Sequence, residues 1–222
     1  DEYGLILEGL FARAGLSLDA VEGIVMSSVV PTINFTLEHM CKNYFGKMPM
    51  TVAPGIKTGI NLRYENPREL GADRIANAVA AETFYGAPAI VVDFGTATNI
   101  DVIDEGGYYI GGAIAPGIRI SMDALAARAA KLASVPLEAP EHAIGRDTEE
   151  CIKVGAVTGA AAMAEGLVAR MKRELGREDA TVIATGGLAS IVADSTDAFD
   201  VVDGQLTIKG ICEIYRRMQK LG

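Results

Sequence analysis

The sequence predicts an α/β fold. Apolar strand patterns alternate with helical ones, and several strands run into glycine-bearing turns, the place where ligands bind in this class. Leu5, Ile6, Leu10, Phe11 and Ala14 recur at helix spacing, with Gly15 as a stop. Gly23–Val30 reads as a strand ending at Pro31, Leu37–Phe45 as a helix, and Pro49–Val52 as a short strand before a Pro54-Gly55 turn. Pro67–Gly71 opens a long alanine-rich helix, Ala72–Tyr85.

A second organisation begins near Gly86-Ala87-Pro88. Ala89–Asp93 pairs with Asn99–Asp104, Glu105-Gly106-Gly107 turns the chain, and Tyr108–Ala113 follows. Gly111–Gly117 reads as a glycine-rich connection into a helix starting near Ser121. Pro136–Pro140 is loop. Glu149–Leu175 is a helix rich in small residues (Gly155, Gly159, Gly166), a face suited to close packing on another helix; a helix buried against a sheet would look the same. Ala180–Ala184 is a strand ending in Thr185-Gly186-Gly187, Asp200–Gly204 a turn, and Ile208–Leu221 a closing helix.

The stretch Ala89–Asp101 carries the most chemistry. Asp93 sits at a strand end, where a carboxylate can hold a cation. Gly95 lets a ligand approach the backbone, and Thr96, Thr98 and the turn amides suit phosphate oxygens. This points to a phosphate-binding hairpin of the actin-like ATPase type. It is not a P-loop, because no Gly-x-x-x-x-Gly-Lys-Ser/Thr occurs. An ordinary hairpin with Asp and Gly as turn formers reads the same over so short a stretch. The turns Asp93–Thr98 and Thr185–Gly187 are expected to face one nucleotide, the first taking phosphates and the second adenosine.

Composition narrows the partners. A net charge of −9 argues against nucleic-acid binding, which needs a basic face. No apolar run approaches the ~20 residues of a membrane span, and the opening Asp1-Glu2-Tyr3 is not a signal peptide. Three scattered cysteines fit neither a zinc site nor a disulfide framework, so a cytoplasmic location is expected. In Gly71-Ala72-Asp73-Arg74, an acid and a base share a first helical turn. A dipole-compatible Asp with Arg74 in a surface pair explains that much.

Taken with Pro54–Gly59, Tyr64-Glu65-Asn66-Pro67, Asp93–Thr98, Gly111–Gly117 and Ala184–Gly187, in this order and spacing, the chain resembles type III pantothenate kinase over essentially its whole length. The resemblance implies an actin-like, ribonuclease-H-like duplicated fold, divided here into 1–86 and 87–222, in a homodimer with a shared active site. It implies ATP-dependent phosphorylation of pantothenate, the first step of coenzyme A synthesis. Asp73 matches the proton acceptor, and Gly71, Ala72 and Arg74 complete the substrate turn. Tyr64 matches a pantothenate contact, and Thr148 a further one supplied by the dimer partner. Asp93 matches the ligand of a monovalent cation (K⁺ or NH₄⁺), and Thr96 an ATP contact. Gly95, Thr98, Gly186 and Gly187 complete the expected nucleotide site, with Mg²⁺ on the phosphates. Arg74 is suited to a carboxylate or a phosphate through its planar fork.

The family pattern also has a first phosphate turn, Asp-x-Gly-Asn-Thr, which is absent from these 222 residues. The first domain is therefore expected to be truncated by roughly three dozen residues, and this puts the turnover of the chain as given in question. Asn99 stands where the family usually has Thr. The alternative is a catalytically silent homologue that binds pantothenate or nucleotide as a regulatory partner. A different actin-like sugar or acetate kinase fits Gly71–Arg74 and Gly111–Gly117 poorly.

Overall fold

The computed structural model describes residues 2–28, 30–52, 56, 58–129 and 135–220. In chain order its elements are α1 (Glu2–Arg13), β1 (Val25–Ser27), α2 (Pro31–Phe45), β2 (Met50–Val52), β3 (Asn61–Leu62), α3 (Ala72–Tyr85), β4 (Ala89–Phe94), β5 (Ala97–Ile103), β6 (Tyr108–Pro116), α4 (Ile118–Arg128), α5 (Thr148–Lys153), α6 (Gly159–Leu175), β7 (Thr181–Thr185), α7 (Ala189–Ala193), β8 (Val201–Val202) and α8 (Leu206–Gln219).

A six-stranded sheet runs in the order β3-β6-β5-β4-β7-β8. Short turns make β4, β5 and β6 an antiparallel meander, while the helical crossover through α4–α6 returns β7 parallel to β4. β8 adds parallel to β7. This meander with parallel additions is the ribonuclease-H-like arrangement of the actin-like fold. β1 and β2 form a separate parallel pair.

Alternation along the strands divides the core. Ala89, Val91, Ile103 and Tyr109 pack with α3 and α8, whereas Ile90, Val92, Ile100 and Val102 pack with Ala161, Ala164 and Val168 of α6. The same period of two puts Asp93, Asn99 and Asp101 on the α3 side of the sheet. Helix α3 can lie close because its buried positions are mostly alanine. At its crossing with α8, a Cβ on Gly210 would fall 1.9 Å from the Ala76 carbonyl oxygen, so only glycine permits that approach.

Several expected boundaries shift. β6 extends to Pro116, so Gly111–Gly117 is mostly strand and not a loose connection. Its glycines are there for closeness: a Cβ on Gly112 would meet the Ile100 carbonyl oxygen at 1.7 Å. α4 accordingly begins at Ile118. The Asp200–Gly204 turn contains the short strand β8. α2 starts at Pro31 and not at Leu37, since proline is well placed at a first helical position. The Pro54-Gly55 turn lies outside the described residues.

Residues Thr148–Leu175 form one continuous helix, α5 and α6 joined through a π-turn at Val154–Thr158. By length and composition it is apolar enough to cross a bilayer. Lys153, Glu165 and Arg170 interrupt it, and core helices of folded domains meet the same criterion. Only 22% of its most apolar window is buried, so much of a small-residue surface faces outward.

Candidate active site

The start of α3 builds the first part of the site. Gly71 precedes the helix in extended conformation, and a Cβ there would lie 2.5 Å from Asp73 Oδ1. Glycine thus leaves room for the Asp73 carboxylate, which is half-buried and accepts a 2.9 Å hydrogen bond from its neighbour's backbone N–H, that of Arg74. An acid in this first turn also faces the positive end of the helix dipole.

Arg74 is not in a surface pair. Its side chain is buried; Nε donates to Oδ1 of Asp101 at 2.9 Å, and Nη2 makes an ion-pair contact with the same oxygen at 2.6 Å. The Tyr109 hydroxyl donates to the same oxygen at 2.8 Å. Asp101 is fully buried, and its Oδ2 has no hydrogen-bond partner among the described residues. Burial opposes charge on both members. For Arg74 the Asp101 carboxylate more than offsets that burial and holds the guanidinium above its ordinary range. Burial pushes Asp101 upward against the pull of Arg74. Contacts this short favour the ionised pair.

Tyr64 joins this group from the loop before α3. Its ring meets Tyr109 edge-on, 5.8 Å between centroids, and a Cβ on Gly111 would lie 3.9 Å from it. Ala72 is buried beneath the turn.

Asp93 ends β4 beside this cluster. Its Oδ2 accepts a 2.8 Å bond from Asn77 Nδ2, one helical turn after Asp73. Asn77 is fully buried, and its Oδ1 accepts from the Thr207 hydroxyl of α8 at 2.7 Å. Burial raises the Asp93 pKa; the Asn77 bond counters this, and the Asp73 charge adds to it. Oδ1 faces a space cleared by glycines: a Cβ would sit 2.5 Å away at Gly186 and 3.5 Å away at Gly95. A carboxylate oxygen beside a second carboxylate, in a cradle that a side chain would fill, fits a hard cation.

The phosphate-type hairpin is tight. Phe94 pairs with Thr98, and the Gly95 N–H bonds to the Ala97 carbonyl at 3.0 Å. That amide is therefore engaged within the turn. Thr96 is exposed at the tip; Thr98 is buried, its hydroxyl without a partner among the described residues. A Cβ on Gly117 would fall 2.1 Å from the Thr96 carbonyl oxygen, so glycine lets the start of α4 close on the turn.

The two glycine turns meet as expected. Asp93 pairs with Thr185, and Leu188 N–H bonds to the Phe94 carbonyl at 3.2 Å. Gly186 takes φ of +93°, a conformation that favours glycine. A groove of about 310 Å³ lies by β6, but the one that matters here is about 280 Å³, lined by Gly95, Thr96, Arg119 and Gly187.

Thr148 lies elsewhere. It begins α5, is exposed, and lines an apolar groove with Met122, Leu125, Cys151 and Ile152. No hydrogen bond or shared groove joins it to the Asp73 turn among the described residues. Asp101, Tyr109, Asn77 and Thr207 escaped sequence reasoning. One signal was present: a carboxylate between Ile100 and Val102 in a strand needs a buried partner.

The family profile described as type III pantothenate kinase matches residues 1–170. A type III pantothenate kinase of Bacillus cytotoxicus is 49% identical over 217 residues, covering 98% of this chain and 82% of that protein. A solved structure of a Baf family protein from Campylobacter jejuni aligns with a TM-score of 0.61 at 22% identity, over 91% of this chain and 87% of that one, a likeness of fold. From this match along nearly all of its length, the chain belongs to the type III pantothenate kinase family.

Proposed function

We propose that this protein transfers the γ-phosphoryl group of ATP to the primary hydroxyl of pantothenate, giving 4'-phosphopantothenate at the entry to coenzyme A synthesis. The observation that carries this reading is the tie between the Asp73 helix and the Asp93 hairpin: Asn77, one turn after Asp73, donates to Asp93 at 2.8 Å, and the groove lined by Gly95 and Thr96 opens at that hairpin.

Asp73 orients the hydroxyl and accepts its proton as oxygen bonds to phosphorus and the bond to the departing ADP oxygen breaks. A loose transition state needs positioning more than a strong base, so an ordinary carboxylate suffices. Tyr64, Gly71, Ala72 and Arg74 hold pantothenate. Thr96 and Thr98 hydroxyls, with Gly95, Gly186 and Gly187, hold the nucleotide. Asp93 would hold a monovalent cation, K⁺ or NH₄⁺. That cation and Mg²⁺ would supply positive charge against the phosphates.

The outward face of the helix Thr148–Leu175 supports a homodimer in which Thr148 completes the partner's pantothenate site. We assign residues 1–86 and 87–222 to the two halves of the fold, and the enzyme to the cytoplasm, without nucleic-acid or membrane partners. The test is direct. Full-length protein incubated with MgATP and pantothenate should yield a new phosphomonoester in the phosphorus NMR spectrum, in step with ADP. ADP formation without the ester would overturn the substrate assignment.

A further inference from the structure

We propose that Asp101 and Tyr109 are positioning residues for pantothenate: they fix the Arg74 guanidinium at the substrate turn and leave Nη1 as the donor that meets the substrate. This rests on the reading that Arg74 contacts pantothenate.

Three features point the same way. Nε and Nη2 of Arg74 both go to Asp101 Oδ1, so the fork cannot swing, and Nη1 has no partner among the described residues. The third group on that oxygen is the Tyr109 hydroxyl, which donates to it at 2.8 Å, and the Tyr109 ring backs Tyr64 at 5.8 Å. One tyrosine therefore supports both of the side chains assigned to pantothenate from opposite ends, its hydroxyl through Asp101 and its ring through direct contact. The arrangement is also poor as a stability device. Three groups crowd one carboxylate oxygen while the buried Oδ2 has no partner among the described residues, and a buried ion pair is often no better for stability than apolar packing. Its location at the turn between Gly71 and Arg74 is what gives it a use.

The pair also changes what Arg74 offers. Asp101 offsets its charge at ion-pair distance. Arg74 then acts through a directed N–H and not as a net positive charge. Pantothenate binding should accordingly depend on the exact placement of that N–H.

The experiment measures pantothenate binding by calorimetry, and KM for each substrate, in full-length wild type, Tyr109→Phe, Asp101→Asn and Arg74→Ala. Tyr109→Phe keeps the ring and removes only the hydroxyl. It should raise the pantothenate Kd by roughly 10-fold, the scale of a hydrogen bond to a charged group, with KM for ATP within about twofold. Asp101→Asn should do more; if it fails to fold, the Tyr109→Phe result decides. An unchanged pantothenate Kd in folded Tyr109→Phe, while Arg74→Ala binds weakly, overturns the positioning role and spares the Arg74 reading. Equal losses for ATP and pantothenate also overturn it, since a merely structural role would do that. Unchanged binding in Arg74→Ala removes the reading beneath it, and the proposal with it.

Discussion

Asn77 and Asp93 are tied by a 2.8 Å hydrogen bond that links the helix carrying Asp73 to the strand carrying the phosphate-type hairpin. The Thr207 hydroxyl binds the other end of the same amide, so its nitrogen is turned toward Asp93. Replacing Asn77 with Ala removes the one hydrogen bond that favours the charged form of Asp93. In Asn77→Ala the Asp93 carboxyl should titrate higher than in wild type, and stability should fall by about 1–3 kcal/mol as Thr207 loses its partner. Carboxyl NMR titration and urea unfolding read the two effects. An Asp93 titration that stays in place would show the bond to be unimportant to the charge.

Asp93 makes a second prediction through its pKa, which burial raises in the fold. A carboxyl raised on folding favours the folded state below its unfolded pKa, and that support is lost as pH rises through the folded value. In buffer containing only a bulky organic cation, Asp93→Asn should therefore be more stable than wild type at neutral pH. The difference should shrink as pH falls into the ordinary carboxylate range. Adding K⁺ should stabilise wild type and leave Asp93→Asn unmoved. A variant less stable than wild type at neutral pH would contradict this account of the site.

Gly186 tests the closeness of the two turns. With φ of +93° and a Cβ that would lie 2.7 Å from the Phe94 backbone, alanine there is strained and displaces the hairpin. Gly186→Ala should lose about 1–3 kcal/mol of stability and weaken ATP far more than pantothenate. Equal affinity for ATP in the folded variant would separate this turn from the nucleotide.

The shared site is tested by mixing subunits. Asp73→Asn and a Thr148→Ala chain, each strongly impaired alone, should recover one working site per heterodimer if the two residues act across the interface. No recovery in proven heterodimers would refute that arrangement, and light scattering showing only monomer would do so earlier.

The hairpin at Asp93 and the helix from Ala72 to Tyr85 were legible in sequence because their signals are local: an apolar strand into Asp-x-Gly, and an alanine run after a glycine stop. Gly111–Gly117 misled because glycine normally weakens strands. Here Gly112 is glycine because the Ile100 carbonyl leaves no room for a Cβ, a reason that lies on a neighbouring strand. The partners of the site residues are more distant still. Arg74 finds Asp101 27 residues away, and Asn77 finds Thr207 130 residues away. Residue type can announce that a buried charge needs a partner, but only the sheet register and the α3–α8 crossing choose which one.

The central claim is that Asp73 takes the proton of the pantothenate hydroxyl, and the most direct measurement is single-turnover phosphoryl transfer by full-length Asp73→Asn. The amide keeps the size of the carboxylate and cannot accept the proton as a carboxylate does. Transfer should slow by at least ~10²-fold, the usual scale for a positioned base, while calorimetry shows pantothenate still bound. Transfer at a near-normal rate in that variant would contradict the assignment.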